Sequence, residues 1–248
     1  MPAHHTDPCP IVELRQYTLH PGQRDGLIDL FDREFVETQE AHGMRVLGQF
    51  RDLDAPDRFV WLRGFADMAA RHRALARFYG GPVWAAHRDA ANATMVDSDN
   101  VLLLRPAWPG ATAALPQHTR PAAGTDAALQ PAGGVVDATV FHLREPATPA
   151  LLDFCRHRMA PVLQRGGALQ QAWYCTEESP NTFARLPVRE GEPVLLGLAL
   201  FRDAAALQAF ADSGAWARQV AADLAPWLSP RAPEVLRLQT TGRSALRA

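Results

Sequence analysis

Glu13, Arg15 and Tyr17 fall at alternate positions of Ile11–Leu19, IVELRQYTL. A strand there places a carboxylate, a guanidinium and a phenol on one face, with Val12, Leu14, Gln16 and Thr18 on the other. A guanidinium beside a phenol can hold a substrate anion, although an internal Glu13–Arg15 pairing or a solvated strand edge gives the same pattern. Arg45, Gln49 and Arg63 alternate in the same way near Leu47 and Trp61 and would extend that polar patch. His87 and Arg88, with Asn92 one turn beyond Arg88, precede Asp97 and Asp99. His87 has the chemistry of an acid, a base or a haem ligand, and Arg88 that of an anion clamp. Equally, Asp97-Ser98-Asp99-Asn100 reads as the end of a helix and a turn, with Arg88 paired to a carboxylate. The expected ligand-binding set is therefore Arg15, Tyr17, Arg63, His87 and Arg88, and no residue is assigned a catalytic role.

Other chemistries are excluded by composition. All 25 Lys+Arg residues are arginine, which removes Schiff-base lysines, pyridoxal-phosphate anchors and Walker-type phosphate loops. The formal net charge of -2, without any basic stripe, argues against a nucleic-acid partner. No HExxH, paired CxxC, GxSxG or strand-following GxGxxG occurs. His4, His5 and Cys9 sit at a terminus, a poor place for a designed metal site, and no metal or other cofactor is expected. Cys9, Cys155 and Cys175 leave one thiol unmatched in any disulfide scheme, which points to a reducing, cytoplasmic setting. No run of eighteen apolar residues occurs, so no membrane span is expected.

The elements that must position these residues can be followed along the chain. Ile11–Leu19 is a strand, and His20-Pro21-Gly22 turns it into a helix whose Leu27, Phe31 and Phe35 recur at four-residue spacing until Gly43 closes it as a left-handed cap. Met44–Arg51 and Arg58–Phe65 read as a hairpin, Ala66–Phe78 and Val83–Met95 as helical pieces, and Val101–Leu104 as a closing strand. This β-α-β-β-α-β order is the ferredoxin-like arrangement. Residues 107–134, rich in Pro, Ala, Gly and Thr, read as a linker.

The pattern then repeats. Ile11-Val12-Glu13 recurs as Val135-Val136-Asp137, and Gly43 and Gly167 lie the same distance apart. Past a longer segment, Thr176–Glu190, Phe65-Ala66-Asp67 meets Phe201-Arg202-Asp203, while Phe78 and Trp84 meet Phe210 and Trp216. Strands are predicted at 135–143, 168–175, 193–201 and 234–239, and helices at 148–165 and 204–228. Arg15, Tyr17 and Glu13 correspond to Thr139, Phe141 and Asp137, so the first half is the more polar, as one pocket in a pseudo-symmetric barrel would make it. The expected fold is α+β: two tandem ferredoxin-like (βαββαβ) repeats, in domains at 8–106 and 135–248, packed sheet to sheet as an intrachain barrel. Val194–Phe201, apolar on both faces, fits such packing.

The first strand with its Pro-Gly turn, the break Phe78-Tyr79-Gly80-Gly81-Pro82-Val83-Trp84, and HRDAANATMVDSDNVLLL from His87 to Leu104 resemble the NIPSNAP family of the dimeric α/β-barrel superfamily. The resemblance covers about the first hundred residues and reaches the second repeat only through the duplication. It implies a ferredoxin-like fold, often in two copies per chain, with no settled chemistry. Eukaryotic relatives are associated with mitochondria, but the arginine-rich amphipathic presequence of such targeting is absent from this sequence. Superfamily relatives include cofactor-free monooxygenases and haem-dependent peroxidase-like proteins, activities that membership alone does not confer.

The leading expectation is thus a NIPSNAP-like protein that binds a small molecule or a protein partner, with pairing to a second copy left open. The alternative is a cofactor-free monooxygenase-like oxidoreductase, holding a small apolar or aromatic substrate in a barrel pocket near Arg15, Tyr17, Arg63 and His87. A filled barrel interior argues against that alternative. A scaffold role would instead require exposed apolar helix faces.

Overall fold

The computed structural model describes residues 9–113, 120–125, 128 and 130–248. Eight strands, β1 (Ile11–Leu19), β2 (Arg45–Asp52), β3 (Arg58–Phe65), β4 (Met95–Pro106), β5 (Val135–His142), β6 (Gln170–Thr176), β7 (Val194–Phe201) and β8 (Glu234–Thr240), close into one antiparallel barrel. Around the barrel their order is β1-β3-β2-β8-β5-β7-β6-β4, so each half of the chain contributes four contiguous strands. Long ladders run within each half. Between the halves the seams are short, with three residue pairs from β2 to β8 and three from β4 to β6. Each seam is finished by irregular chain. The Thr241 amide donates to Gln49 and that of Leu246 to Leu47 on one side, and those of Glu177 and Arg189 to Leu103 and Val101 on the other.

One apolar cluster draws residues from all eight strands and none from a helix, among them Val12, Phe50, Leu62, Leu102, Val136 and Leu198. It is the barrel interior, and side chains fill it. Two further clusters lie between the outer faces of the strands and the helices, one for each half. Strands covered on both sides bury nearly every residue, which explains why β7 is apolar without alternation.

In the first half the helices are α1 (Arg24–Leu30) and α2 (Val36–Ala41), joined by a π-helical turn at Phe31–Phe35, then α3 (Met68–Tyr79) and α4 (Pro82–Asn92). Leu27, Phe31 and Phe35 all face the core, and Gly43 takes the left-handed conformation, φ +89°, with its amide donating to Glu40. The second half repeats the plan with α5 (Pro149–Phe154), a π-helical turn at Cys155–Met159 and α6 (Ala160–Arg165). There follow α7 (Ala204–Asp212), a π-helical turn at Ala217–Ala221 and α8 (Ala222–Leu224).

One expectation is corrected. Asp97-Ser98-Asp99-Asn100 does not end a helix or form a turn; α4 stops at Asn92, and these residues lie within β4, with Gln16 opposite Asn100 and Thr18 opposite Asp97. Pairing with β1, which shifts register between Gln16 and Thr18, overrides the local turn preference of the segment. The described parts of 107–134 are packed against the barrel: Ala107 and Ala111 are buried and exchange backbone hydrogen bonds with Trp173, and Arg120 pairs with Glu40. No helix among the described residues is long and apolar enough to cross a membrane.

Candidate functional site

Because Val12 and Leu14 point into the barrel, Glu13, Arg15 and Tyr17 point outward, beneath the helices. There Glu13 Oε2 accepts from Arg15 Nη1 at 2.9 Å and from Arg63 Nε at 2.7 Å, and Oε1 accepts from Arg71 Nε at 2.6 Å. Arg15 Nε also donates to the Tyr17 hydroxyl at 3.0 Å, and Arg63 Nη1 to Gln39 Oε1 at 3.2 Å. The Trp61 ring lies between the guanidiniums of Arg15 and Arg63, 5.7 and 5.1 Å from its centroid. Burial drives the Glu13 carboxyl upward, but Arg63, Arg15 and Arg71 together outweigh it and hold the group far below the ordinary carboxylate range. Tyr17 moves the other way, raised chiefly by burial.

Arg15, Tyr17 and Arg63 are thus brought together as the sequence suggested, but outside the barrel and in a sealed cluster. None of Glu13, Arg15, Arg63 or Arg71 is more than 1% exposed, so the cluster is structural. His87 and Arg88 do not join it. His87, 34% exposed, faces Glu34 at 3.4 Å, and Arg88, 58% exposed, faces Asp89 at 3.3 Å. Arg45 is exposed, whereas buried Gln49 donates through its side-chain amide to the Arg243 carbonyl. Arg71 and Gln39 were not anticipated. The clue to Arg71 was its spacing with Leu75 and Phe78 on the buried stripe of α3.

The second half answers the same positions differently. Across β1 and β3, Glu13 stands opposite Arg63 and Arg15 opposite Trp61. Across β5 and β7, Asp137 stands opposite Ala199 and Thr139 opposite Gly197. Where the first half has arginine and tryptophan, the second has alanine and glycine, and a cavity of about 240 Å³ remains between the sheet and the helices. Its walls include Phe141, Trp173, Phe210 and Trp216. Trp173 lies against Gly197, where a Cβ would meet its ring at 2.7 Å, and Phe141 stacks on Trp216 at 5.9 Å. Pro233 and the exposed Val235 stand at its edge.

Among the described residues, Asp137 is the only ionisable one lining this cavity. The Thr139 hydroxyl donates to its Oδ1 at 3.5 Å, and among the described residues no arginine or histidine lies within ion-pair distance. Burial pushes its carboxyl up to about 6, offset only slightly by Thr139. An aromatic chamber holding one carboxylate can hold a small organic molecule and can accept a proton or a positive charge from it.

A second polar feature closes one barrel end. Arg189 Nη2 donates to Glu192 Oε2 at 2.6 Å and to Glu234 Oε1 at 3.0 Å, Gln16 Nε2 donates to Glu234 Oε2 at 3.2 Å, and His142 lies beside Glu234. The longer segment noted in the sequence, Thr176–Glu190, supplies Arg189 and also reaches the first half, where Arg71 Nη1 donates to Asn181 Oδ1. Among the described residues no group of three His, Cys, Asp or Glu side chains could hold a metal ion. Cys9 is buried, and His4 and His5 lie outside the described residues.

Comparison with known proteins agrees with this architecture. A putative monooxygenase from Lactobacillus acidophilus, 11% identical, aligns over 94% of this chain and 97% of its own with a TM-score of 0.59. An anthrone oxidase-like protein, 12% identical, aligns over 99% of this chain and 98% of its own with a TM-score of 0.52. At such identities the likeness is one of fold. A NIPSNAP family protein of unknown function from Agrobacterium tumefaciens is 21% identical over 42% of this chain and 93% of its own, with a TM-score of 0.37. Among curated proteins, none matches. The NIPSNAP family model matches residues 12–108, so the first half of the chain is similar to a NIPSNAP domain.

Proposed function

We propose that the protein binds a small, largely apolar molecule in the cavity above Asp137, between the second half's sheet and its helices. The observation that carries this reading is the replacement of Trp61 and Arg63 by Gly197 and Ala199 at matching ladder positions, which leaves about 240 Å³ open beside an unneutralised carboxylate. The identical strand order of the two halves supports tandem ferredoxin-like units at 8–106 and 135–248, with 107–134 joining them. On this reading one unit keeps the fold together and the other carries the ligand. Three buried cysteines, none of them in a disulfide, suit a cytoplasmic setting.

The test is native mass spectrometry and thermal-shift screening of the protein beside Ala199→Leu, which fills the cavity. A compound bound by the parent and lost from the variant is the expected result. Compounds bound equally by both would place the ligand elsewhere.

A second reading, oxidation of such a molecule, is favoured by the fold shared with proteins named as putative monooxygenase and anthrone oxidase-like. Its site would be this cavity, with Asp137 taking the proton, since the barrel interior is packed and Arg15, Tyr17 and Arg63 are sealed. Oxygen uptake with a candidate aromatic substrate, abolished in Asp137→Asn, is the outcome that reading requires.

A further inference from the structure

We infer that the cavity above Asp137 recognises a small organic cation, an ammonium or guanidinium carried on an apolar body, held by the Asp137 carboxylate and the aromatic walls. The inference rests on the ligand-binding reading just given and narrows it to a chemical class.

The molecule carries its own template for such a complex. In the first half the outward carboxylate, Glu13, is met by guanidiniums that lie over aromatic rings: Arg15 over Tyr17 and Trp61, Arg63 over Trp61 and Phe65. That arrangement combines charge-assisted hydrogen bonds with cation–π contact in a dry site. The second half keeps the carboxylate, Asp137, and keeps aromatic walls in Phe141, Trp173 and Trp216. It lacks the cations. The residues opposite and beside Asp137 are Ala199 and Thr139 where the first half has Arg63 and Arg15, and the space those arginines would fill is the cavity. A half-buried carboxylate without an ion-pair partner, set among aromatic walls, favours a cation over a neutral molecule and disfavours an anion.

Among the described residues that line the cavity, none but Asp137 is charged. From β7 Asp137 is faced by Ala199, and the residues of α6, α7 and the following turn that line the cavity, Leu163, Phe210 and Trp216, are uncharged. From β8 it is faced by Arg237, whose guanidinium turns away to Asp54, with Nε donating to Oδ2 at 2.7 Å. The ionised form of Asp137 is the one that binds a cation. Affinity should therefore fall as the pH is lowered through about 6.

The experiment compares benzylammonium, benzyl alcohol and benzoate, closely matched in shape, by calorimetric titration at pH 7.5 and pH 5. It uses the full chain and its Asp137→Asn and Ala199→Arg variants. The parent is expected to bind benzylammonium at least tenfold more tightly than either other probe, and to lose most of that preference at pH 5. Asp137→Asn should erase the preference. Ala199→Arg, which restores the first half's guanidinium opposite the carboxylate, should bind no probe. Carbon-13 NMR of Asp137 in the unsubstituted protein gives a readout free of folding effects, and its titration midpoint should fall when benzylammonium is bound. If benzyl alcohol or benzoate binds as well as benzylammonium, and Ala199→Arg still blocks it, the cation inference is overturned while the cavity reading stands. If no probe binds the parent, both are overturned.

Discussion

Asp137 stands directly across the β5–β7 ladder from Ala199, in the register in which Glu13 stands across β1–β3 from Arg63. One backbone plan has thus been given opposite contents. In the first half a carboxylate is surrounded by three arginines until no water reaches it, and in the second the same outward position opens on a chamber. A buried charge without a partner is costly, so the two halves must behave differently when their acids are removed.

Glu13→Gln should lower stability by about 3–5 kcal/mol, because it leaves Arg15, Arg63 and Arg71 buried around a neutral amide. Denaturant unfolding of the two proteins measures this directly. A loss under about 1 kcal/mol would mean that the arginines find other partners or that water enters the cluster.

His87→Ala and Arg88→Ala should each change stability by no more than about 0.5 kcal/mol, as substitutions at partly or fully exposed, weakly paired positions do. Arg63→Ala, made alongside them, should cost several times as much. Similar costs for all three would show that His87 and Arg88 belong to a cooperative site after all.

The acid dependence of stability should have two opposed parts. The Asp137 carboxyl sits at about 6 in the folded protein, above its ordinary 3.8, so between those values the folded chain holds a proton that the unfolded chain has released. Stability from this group therefore rises as pH falls through 6. The gain is about 1–2 kcal/mol once the water reaching Asp137 through the cavity mouth is allowed for. Asp32, also raised to about 6 by burial, adds in the same direction. Glu13 is held below its ordinary 4.5, and the stability it contributes is lost as pH falls below that value. Unfolding measured from pH 8 to pH 3 should show a maximum near pH 5, and in Asp137→Asn the rise from pH 7 to pH 5 should shrink.

Much of this was legible in the sequence because it is written in periodicity. Strand alternation at Ile11–Leu19 put Glu13, Arg15 and Tyr17 on one face, and the recurrence of Val135-Val136-Asp137 pointed to the strand that is β5. What the sequence concealed was direction and pairing. Alternation separates two faces without saying which one is inside a barrel, so Arg15 and Arg63 read as pocket residues when they point under helices. Asp97–Asn100 carries turn-forming residues, yet it is held extended by β1, a partner far away in the chain. The cavity was hidden for another reason. Gly197 and Ala199 are unremarkable in an apolar strand and become informative only once the register sets them against Trp61 and Arg63.

Gly197→Ala tests whether that cavity can accept displaced side chains. A Cβ at position 197 would lie 2.7 Å from Cζ3 and 2.9 Å from Cη2 of Trp173, too close for the ring to remain where it is. In a packed interior such a clash moves backbone, but here the space next to Trp173 is open, so the indole can tilt into it. The expected cost is about 1–3 kcal/mol, accompanied by a changed near-ultraviolet circular dichroism signal from the tryptophans. Ligands should bind more weakly as well, since the ring then occupies part of their volume. A variant with unchanged stability and spectrum would mean that Trp173 does not rest on Gly197 in solution, and that the chamber is larger than about 240 Å³.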